Sequence, residues 1–581
     1  MTDQHGRRFD RRTFLRGGLA GGALAGAGAA IWAATQSGGP PPLPTPPVAK
    51  APAGSPNILV LLVDQLRYPH WFSAAATGIG LPPNLARLRE GAVSFAGHYT
   101  AANDCTPARS SLLTGLYTHQ TGCLLTGGST LYPGFPTWGS LLRERGYGTW
   151  WFGKWHLTHH DNHWTDATGP RRLERYGFSG GTYPSPDGAP GQGWRVDPMI
   201  VDQFESWFAH EGGGAPWCTT VSLVNPHDIA WWYRWTDRVP PERWAPHRVA
   251  ALPPNFETPA ELERARKPSL QRSLQDTSAQ SFGPVPFSGP DMHARWLPFL
   301  DLYVKVQLEV DRLIGRVLRT LERRPDVAAR TVILFTSDHG EYGASHGLRG
   351  KGAAAYEEGI RVPLLVKDPR GILTRAPART RTQLTSSVDV APLLLTIATG
   401  SNAWRRDPYY AHLAGRLDLE RLLADPSAPG RRYVLHVTDE LVTEFAIELY
   451  AANAPLHIVA LRTPHAKYAV YSHWQSDGVT PLQRGAQREL YDYRTRGGRL
   501  ELDNVAGHSR LEEPMAALLE QATVHELRAP LPDEFVDAAS AGFSDYLTLA
   551  KGAVIRATEH RRRIEERRRH LRLPPLFAPQ V

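Results

Sequence analysis

An α/β fold is what this sequence of 581 residues predicts, with a mostly parallel sheet covered by helices on both faces and a smaller antiparallel sheet behind it. Three observations carry that expectation. Continuous apolar runs rich in β-branched residues recur up to about Gly400, as in strands buried on both faces. Helical patterns lie between them, which implies parallel strands joined by crossovers. Beyond Gly400 the runs become short and alternating, as in an antiparallel sheet with one polar face. Composition agrees: 41% hydrophobic residues with 17 Trp supply a large core, and 49 Pro with 53 Gly call for many loops.

The elements follow in order. Residues 1–34 read as an export signal, because Arg11-Arg12-Thr13-Phe14-Leu15-Arg16 resembles the twin-arginine motif. The glycine-rich apolar stretch from Gly17 to Ala34 is too short and too weakly apolar for a stable membrane span. The expected location is therefore outside the cytoplasm, in the periplasm, cell wall or medium, with the twin-arginine machinery as partner. Residues 35–56 form a Pro-rich linker, with six prolines between Pro40 and Pro47.

The α/β body is expected over 57–400. Its strands are 58–63, 148–152, 219–224, 331–336 and 362–366, and Leu302–Leu321 is an amphipathic helix. A C-terminal subdomain is expected over 401–530, with short strands at 432–437, 456–461 and 466–471 and a helix at Leu511–Leu527. Residues 531–581 are expected to be a helical, basic tail ending in the charge run His560–Arg569.

The net charge of +8 does not mark a nucleic-acid binder. Residues 1–34 hold +3 and residues 551–581 hold +6, which leaves −1 for the body. Of the three cysteines, Cys123 and Cys218 could pair if Cys105 is committed to chemistry, although Cys218 lies in an apolar run and also reads as a plain buried thiol.

The most informative stretch is Cys105-Thr106-Pro107-Ala108-Arg109-Ser110-Ser111-Leu112-Leu113-Thr114-Gly115. Pro107 suits the opening of a helix and Gly115 its close. Cys105 then sits where free N–H groups favour negative charge, with Arg109 one turn away on the same side. That predicts an activated nucleophile handling an anion. Other polar residues gather at strand ends: Asp64 and Gln65, Lys154 and His156, His227, and Asp338 with His339. Carboxyl ends of parallel strands are where ligands bind in such sheets. Carboxylates brought together there call for a cation.

The Cys105 string resembles the signature of the type I sulfatases, formylglycine-dependent members of the alkaline-phosphatase-like superfamily, with Ala108 in place of the usual Ser. Further pieces of the resemblance run from about Asn57 to Val505. They include Gly153-Lys154-Trp155-His156, Ser337-Asp338-His339-Gly340-Glu341, Leu348-Arg349-Gly350-Lys351-Gly352 and Glu501-Leu502-Asp503-Asn504-Val505.

The resemblance implies hydrolysis of a small-molecule or saccharide sulfate ester. A maturation enzyme would convert Cys105 to formylglycine. Asp64, Gln65, Cys105, Asp338 and His339 would hold a divalent metal, Ca2+ before Mn2+. Lys154 and Lys351 would grip the sulfuryl oxygens, His156 would hold the formylglycine hydrate, His227 would face the leaving group, and Arg109 would lower the proton affinity of the nucleophile. Gln65 stands where most members carry a second Asp. Asp64-Gln65 followed by Arg67 is closer to choline sulfatases and phosphonate monoester hydrolases, so a phosphonate monoester hydrolase or phosphodiesterase is the alternative enzyme. A non-catalytic binding protein on the same scaffold is the alternative outside enzymes. Trp231-Trp232-Tyr233-Arg234-Trp235 is either a pocket wall or a packed loop core.

Overall fold

In the computed structural model the residues described are 50–68, 80–158, 169–182, 185–214, 216–232, 249–440, 454–475 and 481–572. The signal-like segment, Pro40–Pro47 and Tyr233–Trp235 lie outside them. The large sheet is built from β1 (Asn57–Asp64), β2 (Val93–Phe95), β4 (Gly148–Gly153), β5 (Ser179–Gly180), β6 (Trp217–Pro226), β7 (Thr331–Ser337) and β8 (Leu364–Lys367). A short separate pair joins β3 (His98–Tyr99) to β9 (Thr385–Ser386). The order across the large sheet is β2-β8-β7-β1-β6-β4-β5.

β1 lies between β6 and β7, parallel to both, and β4 continues the parallel set beyond β6. The run at 362–366 is the exception to the parallel expectation. It forms β8, which is antiparallel to β7 and to β2.

Burial explains why β1 shows no alternation. All eight of its residues are buried. Ile58, Val60 and Leu62 join a cluster with Leu112 and Leu113 of α1 (Cys105–Thr114) and Leu394 of α4 (Val390–Thr399). Leu59, Leu61 and Val63 pack on the other side. There they meet Ile200 and Phe204 of α2 (Gln192–Glu211) and Val310, Leu313 and Val317 of α3 (Asp291–Glu322). A strand with helices on both faces needs apolar side chains at every position. No helix among the described residues is long and apolar enough to cross a membrane.

The second sheet runs β10 (Val434–Thr438), β11 (His457–Arg462), β12 (Ala466–Trp474), β13 (Pro481–Asp492), antiparallel throughout. The polar face expected for it is absent from β10 and β11. Leu435, Val437, Val459 and Leu461 pack with Met515 and Leu519 of α5 (Glu512–Ala522). Ile458 and Ala460 pack on the opposite side with Leu270, Tyr342 and Tyr356. The helix expected over Leu511–Leu527 is α5 followed by a π-helical turn, Thr523–Leu527.

Nor is the segment after Gly400 set apart, since Trp404, Tyr410, Leu413 and Leu422 belong to the cluster under β1. The described residues form one compact unit. The three cysteines are free and buried, and Cys123 and Cys218 form no disulfide.

The basic tail also differs from expectation. Residues 533–570 are one helix, α6, and its first half is core. Phe535, Ala538 and Ala539 join the cluster under β1, while Tyr132 donates a 2.7 Å hydrogen bond to Asp545. Only the arginine-rich end is a solvated helix face, with Arg562, Arg563, Arg567 and Arg569 exposed.

The helix seats on Gly122, which has φ +70°. A Cβ there would lie 2.7 Å from the Phe543 nitrogen and 2.8 Å from the Ala539 oxygen. Gly122→Ala combines strain with a helix displacement, so it is expected to lower unfolding stability by more than about 1 kcal/mol. Calorimetry checks this, and an unchanged Tm would show that α6 is not held at this point.

Candidate active site

Because β1, β4, β6 and β7 are parallel, their carboxyl ends share one edge of the sheet. Asp64 ends β1, Lys154 and His156 follow β4, His227 follows β6, and Asp338 and His339 follow β7. Cys105 is the first residue of α1, with Asp104 at its N-cap position and Gly115 closing it at φ +71°. Pro107 is the third helical residue, still within the first turn, where no N–H is needed. Lys351 comes from the loop between β7 and β8.

The side chains expected to work together do converge. The Cys105 Sγ lies 2.7 Å from Lys351 Nζ, 3.3 Å from His339 Nε2, 3.7 Å from Lys154 Nζ and 3.7 Å from Asp64 Oδ1. Asp64, Cys105, Asp338 and His339 each place a ligating atom within 4.8 Å of the others. Lys154 Nζ pairs with Asp64 Oδ2 at 2.7 Å. The set is deeply buried; Lys351 is its most open member, with a side chain 12% exposed.

Arg109 lies one turn after Cys105 in α1, where the sequence placed it. It is fully buried, and its guanidinium ties the two carboxylates together, with Nη2 3.0 Å from Asp64 Oδ2 and Nε 2.8 Å from Asp338 Oδ2. Its Nη1 donates to the Lys154 carbonyl at 2.7 Å and to Ser222 Oγ at 3.0 Å. Arg109 is therefore a positioning residue that spans three strand ends.

Gln65 has φ +68°, a left-handed turn at the end of β1. Its N–H donates to Asp338 Oδ1 at 3.1 Å, its Oε1 accepts from Lys351 at 3.1 Å, and its Nε2 donates to Glu341 Oε2 at 2.5 Å. The amide oxygen is thus turned toward the cluster. Arg67 turns away, toward the Tyr342 carbonyl at 3.0 Å and Glu358 at 3.6 Å.

Charge and burial set the protonation states. Burial works to raise the Asp64 carboxyl, but Lys154, Lys351 and Arg109 hold it well below the usual carboxylate range. Burial, then Lys351 and Lys154, push His227 well below the usual imidazole range, and burial with Lys154 and Arg109 does the same for His156. Both are neutral at pH 7. Each carries a buried Nδ1 without a hydrogen-bond partner among the described residues.

The Cys105 thiol is pushed up to about 11 by burial and by Asp64, against the pull of the two lysines. This corrects the expectation of a thiolate primed by the helix N-terminus. A helix end lowers a thiol exposed to it, but here desolvation and two carboxylates win.

Several working residues were not singled out in the sequence. Glu341 is fully buried and also accepts from the Gly343 and Gly350 N–H groups at 3.0 and 2.7 Å, which fixes the Lys351 loop. Gly188, at φ +100°, closes over the site; a Cβ there would lie 2.7 Å from His227 Cε1 and 3.0 Å from Lys154 Nζ. Trp231 holds it by donating to the Gly188 carbonyl at 2.7 Å. Trp231 and Trp232 are themselves buried, so this part of the aromatic segment is packed core behind the wall. The sequence offers no signal for Gly188 beyond its place in a Pro- and Gly-rich stretch.

Arg109→Gln would leave two buried carboxylates short of a counter-charge. Breaking a buried ion pair by removing one partner costs about 3–5 kcal/mol. A loss of that order in the chelator-treated protein is the expected result of denaturant titration, and a loss below about 1 kcal/mol would show that Arg109 does not carry the carboxylates.

Comparison with known proteins adds identity to this geometry. The family model described as Sulfatase matches residues 56–401. The uncharacterized sulfatase YidJ of Escherichia coli is 26% identical over 351 residues, which cover 54% of this chain and 62% of that protein. The chain spans 61–63% of the length of three curated relatives it matches. A structure solved with its substrate D-glucosamine-2-N,6-O-disulfate superposes with a TM-score of 0.59 at 19% identity, over 83% of this chain and 99% of that one. A phosphonate monoester hydrolase from Silicibacter pomeroyi superposes with a TM-score of 0.60 at 21% identity, over 82% and 96%. The family match extends over more than half of the chain, and the protein belongs to the sulfatase family.

Proposed function

We propose that this protein hydrolyses sulfate esters to sulfate and an alcohol, using formylglycine derived from Cys105 and a divalent metal. The observation that carries the reading is the convergence of two ammonium groups on side chain 105, beside two carboxylates and an imidazole. The donor set fits a divalent ion: Asp64, Asp338 and His339 would hold it with side chain 105, and the Gln65 amide oxygen faces the same cluster. Oxygen-rich ligation favours Ca2+, and the imidazole leaves room for Mn2+. The raised thiol fits as well, since an unmodified Cys105 is protonated at neutral pH and a weak nucleophile.

Formylglycine supplies the nucleophilic oxygen, and the metal supplies Lewis acidity at the ester. The remaining work falls to the chain's own side chains. Lys154 and Lys351 bind the sulfuryl oxygens, where charge grows during attack. His227, neutral and held beside Lys154 under Gly188, faces the leaving oxygen and hydrogen-bonds the departing alcohol. His156, whose carbonyl accepts from Thr106 beside Cys105, would hold the hydrate as the family resemblance implies. Arg109 keeps Asp64 and Asp338 ionised and in register.

A saccharide sulfate is supported by the substrate of the structural neighbour solved with a disulfated glucosamine. The Arg11-Arg12 motif supports export by the twin-arginine route, and the cysteine itself calls for a maturation enzyme as partner. Gln65, in place of a second Asp, favours phosphonate monoester hydrolysis as the second reading.

Peptide mass spectrometry around Cys105, after co-expression with a maturation enzyme, is expected to show the aldehyde in place of the thiol. Thiol alone would sink the proposal. Matched aryl sulfate and aryl phosphonate esters are expected to turn over with sulfate preferred; the reverse preference selects the second reading. Gly188→Ala is expected to lower kcat/KM by about 100-fold, the scale of a 1 Å misplacement, together with a lower Tm, because φ +100° strains any side chain there.

A further inference from the structure

We propose that His119, Asp439 and His457 form a second metal site, a structural Zn2+ site distinct from the catalytic cluster. The three residues come from separate parts of the chain. His119 lies just after α1, Asp439 follows the end of β10, and His457 opens β11. Each offers a ligating atom within 4.8 Å of the other two. His119 Nε2 is 2.9 Å from Asp439 Oδ2, and His457 Nδ1 is 2.7 Å from Asp439 Oδ1. The imidazoles are held in place: the His457 ring stacks on Trp474 at 3.7 Å and on the His119 ring at 5.3 Å.

Charge accounting points to an ion. Asp439 is buried, and each of its two oxygens faces an imidazole. No lysine or arginine among the described residues forms an ion pair with it. Glu440 beside it is also buried, at 4% exposure. A divalent ion between the three ligands would supply the counter-charge that a buried carboxylate needs.

Two imidazoles and one carboxylate, with a fourth position left for water, is a ligand set suited to Zn2+. The catalytic cluster is oxygen-rich and suits a harder ion. The His119 side chain, 8% exposed, gives a route in from the surface. Bound there, zinc would pin the segment after the nucleophile helix to the second sheet. That seam also contains Thr438, which donates to Asp104 at 2.7 Å, and Glu440, which accepts from the Thr126 N–H at 2.8 Å.

The test is zinc content and ZnCl2 titration of the full chain, with a chromophoric chelator as competitor. Asp338→Asn serves as the variant that breaks the catalytic cluster. One zinc per chain is expected, retained in Asp338→Asn. Its affinity should fall about 100-fold or more in His119→Gln and His457→Ala, because loss of a direct ligand exceeds the 10–100-fold of losing an outer partner. Cobalt bound in its place should show visible ligand-field bands without a thiolate charge-transfer band. His119 lies at the rim, so His119→Gln keeps the test decisive if His457→Ala does not fold. Absence of saturable zinc uptake, or uptake unchanged by His119→Gln, would leave a purely hydrogen-bonded His–Asp–His triad and overturn the proposal. Zinc lost in Asp338→Asn but kept in His119→Gln would overturn it too, by placing the ion in the catalytic cluster.

Discussion

The Arg109 guanidinium, buried between Asp64 and Asp338, is the contact on which the catalytic edge depends. Two carboxylates at adjacent strand ends repel in a medium from which water is excluded. Arg109 removes that repulsion and also bonds the backbone after β4 and the side chain of Ser222 in β6. A single cation thus fixes the relative height of the β1, β4 and β7 ends and ties them to the body of β6. Its position is set by helix geometry: four residues after Cys105 in α1, it points inward on the same side as the sulfur. The helix therefore delivers both the reacting position and the group that orders the surrounding charges.

Around that contact the site is an assembly of positive charge with little water. Lys154 is spent on Asp64 and Lys351 on side chain 105 and Gln65. Replacing a second carboxylate by Gln65 lowers the negative charge facing an incoming anion, and Glu341 takes up the amide hydrogens that a metal cannot. Burial raises the Glu341 carboxyl, against the pull of the Gly343, Gln65 and Gly350 hydrogen bonds and of Lys351. Gly188 and Trp231 close the space above His227 by backbone shape.

The parallel core and the cluster at its edge were legible because they follow from local patterns. Unbroken apolar runs such as Ile58–Val63 reveal strands buried on two faces, and each run ends in a polar residue that has no reason to be core. The direction of β8 was not legible, because an apolar run of four or five residues carries no sign of parallel or antiparallel pairing. The double burial of β10 and β11 was hidden for a similar reason: the small residues Ala460 and Ala469 read as neutral but pack against tyrosines. The core half of α6 was masked by the arginines that follow it, although Phe535, Ala538, Ala539 and Tyr546 keep helical spacing. The state of the Cys105 thiol was misread because desolvation is a property of the packed site and leaves no mark in the string Cys105–Gly115.

The burial of Cys105 sets an order of events in the life of the chain. The sulfur has no exposed surface once α1 is packed under the strand ends, with both lysines and His339 folded over it. Any reagent that exchanges this sulfur for an aldehyde oxygen needs the segment in extended form. The proposed conversion of Cys105 would therefore have to precede closure of the sheet edge over residues 105–109, and a polypeptide that folded first would keep its thiol out of reach.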